Sequence, residues 1–136
     1  MTETMPTASG SFGDKPVLAF PAEPAPADLA VQVLVRGDGA VVEAGDDIEV
    51  NYFGQIWGGR VFDTSYDRGQ SISFPIGIGA VIAGWDEALV GATVGSRMLL
   101  AIPPHLGYGE RGMPRAGIGG TDTLVFVVDI LGTRHK

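Results

Sequence analysis

Residues 123–131, Thr123-Leu124-Val125-Phe126-Val127-Val128-Asp129-Ile130-Leu131, form the most continuous apolar run in the chain. The run is short, rich in β-branched and aromatic side chains, and has no polar face, which predicts a strand at the centre of a sheet. Upstream, Arg97-Met98-Leu99-Leu100-Ala101-Ile102 is the second apolar strand. About 20 residues rich in Gly and Pro separate the two, and an insertion of that length inside a compact domain is expected to be a functional loop.

Further outward, Val31, Val33 and Val35 alternate with Gln32 and Leu34, so folded structure is expected to begin at Leu29. Ile48, Val50 and Tyr52 lead into Gln55-Ile56-Trp57, and Gly58-Gly59 turns the chain into a return strand at Val61-Phe62-Asp63. Ser71-Ile72-Ser73-Phe74-Pro75 alternates again, placing Ile72 and Phe74 on one inward face. One segment has helical spacing: over 82–90, Ile82, Trp85, Ala88 and Leu89 share a face while Asp86 and Glu87 point out, and Gly91 is placed to end it. The sum is an α+β domain, an antiparallel sheet of five or six strands with one short helix across a sheet face. Residues 1–28 carry five prolines (Pro6, Pro16, Pro21, Pro24, Pro26) and no apolar period. They read as an extended, partly disordered and solvated arm before a domain at 29–136.

Composition narrows the function. At 136 residues and 45% hydrophobic, the chain holds one ordinary core. A net charge of -7 disfavours nucleic acid and anionic membrane surfaces as partners. Cysteine is absent, which removes disulfides, thiolate nucleophiles and Cys-rich zinc sites. The first 20 residues show no export signal and no window reaches the roughly 18 apolar residues of a membrane span, so the cytoplasm is the expected location. His105 and His135 are the only imidazoles, are expected to be solvated, and stand too far apart in sequence to indicate a metal site. No cofactor is expected. Gly107-Tyr108-Gly109-Glu110-Arg111-Gly112 matches a dinucleotide fingerprint, but Pro103-Pro104 before it and Met113-Pro114 after it leave no room for the strand-turn-helix that the fingerprint needs.

Five local patterns occur in order: Val50-Asn51-Tyr52-Phe53-Gly54, Val61-Phe62-Asp63-Thr64-Ser65, Val81-Ile82-Ala83-Gly84-Trp85, Pro103-Pro104-His105-Leu106-Gly107-Tyr108-Gly109, and Thr123-Leu124-Val125-Phe126. Over residues 29 to 133 this series resembles the FKBP-type peptidyl-prolyl isomerases, the macrolide-binding immunophilins. The resemblance implies a sheet half-wrapped around a short helix, with a substrate proline held over the indole of Trp85. It implies catalytic positions at Asp63, Ile82 through its backbone N–H, Trp85, Tyr108 and Phe126. Substrate contacts are implied at Tyr52, Phe62, Ile72, Phe74, Val81 and Ile118, with Arg68 at the rim, and Ile72 stands where many members carry an aromatic. On sheet and helix faces, Phe62, Phe74, Trp85 and Phe126, each taken singly, are more often core than ligand contacts. The polar members distinguish the two, because Asp63 between apolar strands needs a donor such as Tyr52.

X-Pro-containing polypeptides and macrolides are the implied partners of a monomer acting in protein folding. Rotation about an X-Pro bond requires neither nucleophile nor metal, which agrees with the lack of both. The loop Met113-Pro114-Arg115-Ala116-Gly117-Ile118-Gly119-Gly120 departs from the Pro-Pro of many members, which bears on macrolide affinity. A non-catalytic Pro-binding or chaperone module on the same fold is the alternative. With no large insertion between Ser73 and Trp85, an added chaperone domain is not expected there.

Overall fold

Alternation along the strands sorts the side chains of the sheet into two layers. The computed structural model describes residues 5–135. Chain order is β1 (Thr7–Ala8), β2 (Leu18–Ala19), β3 (Ala30–Val35), β4 (Asp47–Ile56), β5 (Val61–Thr64), α1 (Ser65–Arg68), β6 (Ile72–Pro75), α2 (Ala83–Leu89), β7 (Arg97–Ile102) and β8 (Leu124–Arg134). β1 and β2 make a small ladder of their own. The remaining six strands form one antiparallel sheet, in the order β3-β7-β8-β4-β5 with β6 also paired to β4. The apolar run 123–131 is thus the central strand β8, paired on one side to β4 and on the other to β7.

The inner layer gathers Val50 and Tyr52 of β4, Met98, Leu100 and Ile102 of β7, and Leu124, Phe126, Val128 and Ile130 of β8, packed against Trp85, Ala88 and Leu89 of α2. The alternate positions, Phe53, Leu99, Val125 and Val127, form a second cluster with Leu18 on the outer face. Both faces of β8 are covered, which is the physical reason that it carries no polar face.

The outer cover comes from the N-terminal segment. Its composition reads as a solvated arm, yet Pro6, Pro16 and Leu18 are buried and Met5, Ala8 and Phe20 pack against the outer cluster. Phe20 meets Trp57 edge-on at 5.5 Å between ring centroids. The segment is extended, and apolar side chains spaced without period still find a surface to cover.

Ile82 opens α2, its carbonyl accepting from the N–H groups of Trp85 (3.0 Å) and Asp86 (3.4 Å). Gly84 lets the helix lie directly on β7, since a Cβ there would stand 2.6 Å from Cγ2 of Ile102. Asp86 reaches back to accept from the N–H groups of Gly77 (2.7 Å) and Gly79 (3.0 Å), tying the preceding loop to the helix. Gly91 follows the helix but donates its N–H to Val42 O rather than capping a helical carbonyl. The long loop 103–123 is built of three 3-10 turns, Pro104–Leu106, Gly109–Arg111 and Pro114–Ala116. The reciprocal bonds of Met113 and Ile118, at 2.8 and 3.0 Å, and a hydrogen bond from the Arg60 guanidinium to Ala116 O hold it down. No α-helix follows Gly107–Gly112, so the dinucleotide pattern lacks its phosphate-binding helix. His135 is not simply solvated, because its Nδ1 lies 2.6 Å from Oδ1 of Asp46. No helix among the described residues is long and apolar enough to cross a membrane.

Candidate active site

The inner face of the sheet is not filled to its edge. Near the β4-β5 hairpin, a cavity of about 470 Å³ opens between the sheet, α2 and the loop 103–123. Its lining residues are Tyr52, Phe62, Asp63, Ile72, Gly79, Ala80, Val81, Ile82, Trp85, Tyr108 and Phe126. That volume lies within the ~300–1,000 Å³ of ordinary small-ligand pockets.

Each wall follows from local sequence. Tyr52 and Phe126 point inward from the paired strands β4 and β8. Phe62 lies on the return strand β5, and Trp85 rises from the first turn of α2. The Phe126 ring stands perpendicular to Trp85 (5.1 Å between centroids, 83°) and to Phe62 (5.5 Å, 88°), while Tyr52 meets Trp85 edge-on at 5.5 Å. Such edge-to-face contacts fix ring orientation as well as burying area. Gly54 makes them feasible, because a Cβ at that position would stand 2.7 Å from Cζ of Phe62 and 2.9 Å from Cε1 of Phe126. The Trp85 indole N–H is buried and has no acceptor among the described residues, so Trp85 meets the cavity as a ring rather than as a donor.

The polar wall is a closed triad. Asp63 accepts from the Tyr52 hydroxyl at Oδ2 and from Arg68 Nη1 at Oδ1 (2.7 Å), and Arg68 Nη2 in turn donates to the Tyr52 oxygen (2.9 Å). Burial pushes the Asp63 carboxyl up, but the bonds from Tyr52 and Arg68 and the guanidinium charge outweigh it, holding the group below the usual carboxylate range. Burial, then the bond to Asp63, pushes the Tyr52 phenol up, against the opposing pull of Arg68. Burial and the Asp63 charge do the same to Tyr108. Asp63 is therefore an anion whose oxygens are both engaged, not a base waiting for a proton. The Tyr108 hydroxyl and the Ile82 N–H have no hydrogen-bond partner among the described residues.

Not every expected contact is at the cavity. Phe74 packs against Trp85 at 5.4 Å but lies behind the lining, and Ile118 is buried in the inner core. Arg68 reaches the cavity only through Asp63 and Tyr52. Gly79 and Ala80 line it as well, two small residues outside the five sequence patterns. A second cavity of about 430 Å³, lined by Asp47, Ile48, Glu49, Ser73 and Arg134 among others, has Phe74 as its one aromatic ring and nothing resembling the triad.

The family model for "FKBP-type peptidyl-prolyl cis-trans isomerase" matches residues 39–131 of this chain. The chain belongs to the FKBP-type peptidyl-prolyl cis-trans isomerases. It is 43% identical over 119 residues to the FK506-binding protein of Streptomyces anulatus, covering 87% of this chain and 96% of that one. It is 40% identical over 119 residues to the probable FK506-binding protein of Corynebacterium glutamicum, covering 87% and 98%. Among solved structures, AtFKBP13 superposes with a TM-score of 0.72 at 36% identity, over 79% of this chain and 94% of that chain. FkpA from Escherichia coli gives 0.71 at 40% identity, over 78% and 48%. The FKBP reading made from the five sequence patterns and the α+β architecture read from strand alternation and helical spacing hold, and the enzyme is a peptidyl-prolyl isomerase.

Proposed function

We propose that the aromatic cavity is where this isomerase turns X-Pro bonds, by desolvation and without a covalent intermediate. Rotation must break amide resonance, a barrier of about 18–20 kcal/mol that leaves the uncatalysed exchange at tens to hundreds of seconds. The planar amide is charge-separated and well hydrated, whereas the twisted amide is less polar. Walls of Phe62, Trp85 and Phe126 therefore penalise the ground state more than the twisted form. Each factor of ten in rate requires about 1.36 kcal/mol of that difference.

The observation that carries the reading is the juxtaposition of a Phe126 ring perpendicular to both Phe62 and Trp85 with a carboxylate already tied on both oxygens. The Tyr108 hydroxyl and the Ile82 N–H, without partners among the described residues, are suited to receive the carbonyls flanking the proline, holding one side of the bond while the other turns. The same apolar volume is suited to a macrolide.

Purified protein is expected to accelerate cis/trans exchange in a short Leu-Pro peptide, followed by NMR exchange or a protease-coupled assay. Trp85→Ala and Asp63→Ala are expected to lose more turnover than Arg68→Ala. An unaccelerated rate at micromolar enzyme refutes the proposal, and equal activity in all three variants removes the cavity assignment.

A further inference from the structure

The outer face of the sheet holds a buried ion pair for which desolvation in the cavity has no use. Arg97 and Asp129 are cross-strand partners of β7 and β8, with side chains 1% and 0% exposed. The pairing is bidentate, Nε to Oδ1 at 2.7 Å and Nη2 to Oδ2 at 3.0 Å. Bonds beyond the pair satisfy the rest of its capacity, as a buried charge pair requires. Gly13 donates its N–H to Oδ2 of Asp129 at 2.8 Å, and Arg97 donates to the carbonyls of Ser9 (3.5 Å) and Asp14. The segment 9–14 thus lies across the pair as a backbone strap.

The remaining bond to Asp129 comes from the Tyr66 hydroxyl. Tyr66 is on α1, and its neighbour Asp67 is bound by Lys15 Nζ at 2.7 Å, one residue past the strap. The next residue is Arg68, which closes the triad with Asp63 and Tyr52. α1 has only four residues, closed by the Thr64 hydroxyl at its start and Gly69 at its end, and a single turn has no cooperative stability of its own. Its orientation is set by what it is tied to. Ser65 secures one side through the Tyr52 N–H (2.8 Å) and Asn51 Oδ1 (2.9 Å), and Tyr66 and Asp67 secure the other. The Arg68 side chain is itself half-exposed and would not hold one geometry without a fixed backbone.

We propose that Tyr66, anchored on the strapped Arg97–Asp129 pair, is a positioning residue that fixes α1 so that Arg68 meets Asp63 and Tyr52 at the isomerase cavity. The role in turnover rests on the function proposed above; the geometric claim does not. The hydrogen bonds of the N-terminal segment on the outer face and those of the polar wall on the inner face are then coupled through the backbone of α1.

The test uses the full chain with Tyr66→Phe and, separately, the surface change Lys15→Glu with its partner swap Lys15→Glu/Asp67→Lys. The first readout is the titration midpoint of the Asp63 side-chain carboxyl, followed by carbon-13 NMR in folded protein, with Arg68→Met marking the midpoint when the guanidinium is gone. The second is kcat and KM for a Leu-Pro peptide. Tyr66→Phe is expected to raise the Asp63 midpoint toward the Arg68→Met value and to lower kcat/KM by at least threefold. Lys15→Glu is expected to move both in the same direction by about half as much on a logarithmic scale, and the swap to restore them. A general loss of stability would not move the carboxyl titration of the folded fraction. An Asp63 midpoint unmoved by Tyr66→Phe and by Lys15→Glu overturns the inference. An inactive parent with a shifting Asp63 midpoint would instead refute the proposed function and leave the positioning claim standing.

Discussion

Gly54→Ala is the substitution whose effect follows most directly from the structure. The added Cβ would lie 2.7 and 2.9 Å from Cζ and Cε1 of Phe62 and 2.9 Å from Cε1 of Phe126. Carbon pairs rest at about 3.5–4.0 Å, so a ring must retreat by roughly 1 Å. Phe126 is 4% exposed and wedged against Trp85, while Phe62 is half-buried on the outer strand β5, so Phe62 yields. Its perpendicular contact with Phe126, worth about 0.5–1.5 kcal/mol, is lost. Against this, replacing Gly in a strand interior returns about 0.5–1 kcal/mol. Net stability is therefore expected to change by no more than about 1 kcal/mol, whereas the cavity loses a wall and kcat/KM is expected to fall about tenfold, equivalent to about 1.4 kcal/mol. Thermal unfolding and protease-coupled exchange on the same sample separate the two. Full activity, or a Phe62 ring whose NMR contacts to Phe126 persist, refutes the reasoning.

Two further outcomes are expected. The chain has three tyrosines, and the phenols of Tyr52, Tyr66 and Tyr108 are all pushed up, by burial first and then by the carboxylates of Asp63, Asp129 and Asp63 respectively. A phenol raised in the folded state stabilises fully below its unfolded value of about 10, and that contribution is lost as pH rises through the folded value. Absorbance at the phenolate band is thus expected to stay flat through pH 10 and to rise together with unfolding; ordinary titration in folded protein would contradict it. Arg97→Met leaves Asp129 buried without its cation and is expected to cost about 3–5 kcal/mol in urea denaturation, with Arg97→Met/Asp129→Leu regaining part of it. A single variant as stable as the parent would show that the pair is not structural.

The central strand was legible because covering both of its faces leaves Asp129 as the one charged residue among 123–131, and that scarcity is visible in a sequence. The aromatic walls were legible because the five motifs carry them as side chains. The strap was not, since Ser9, Gly13 and Asp14 act through backbone N–H and C=O groups that every residue type has. Nor was the cavity wall at Gly79 and Ala80, two small residues outside the five patterns. The resemblance implies a substrate contact at Ile118, yet its side chain is 4% exposed and packed in the inner core, beside the reciprocal backbone bonds with Met113. Nor could the valines of β3 announce that they lie half-exposed on an edge, because strand order is not a local property.

The strap has a consequence for synthesis. Gly13 bonds to Asp129 across 116 positions of sequence, so the strap cannot close until β8 has been made. Until β8 emerges, β4 and β7 have no strand between them, and Phe53 and Leu99 have neither Val125 and Val127 beside them nor a docked Leu18 above them. Before then β3 can pair with β7, and β4 with β5 and β6, but these two halves of the sheet wait for β8 to join them.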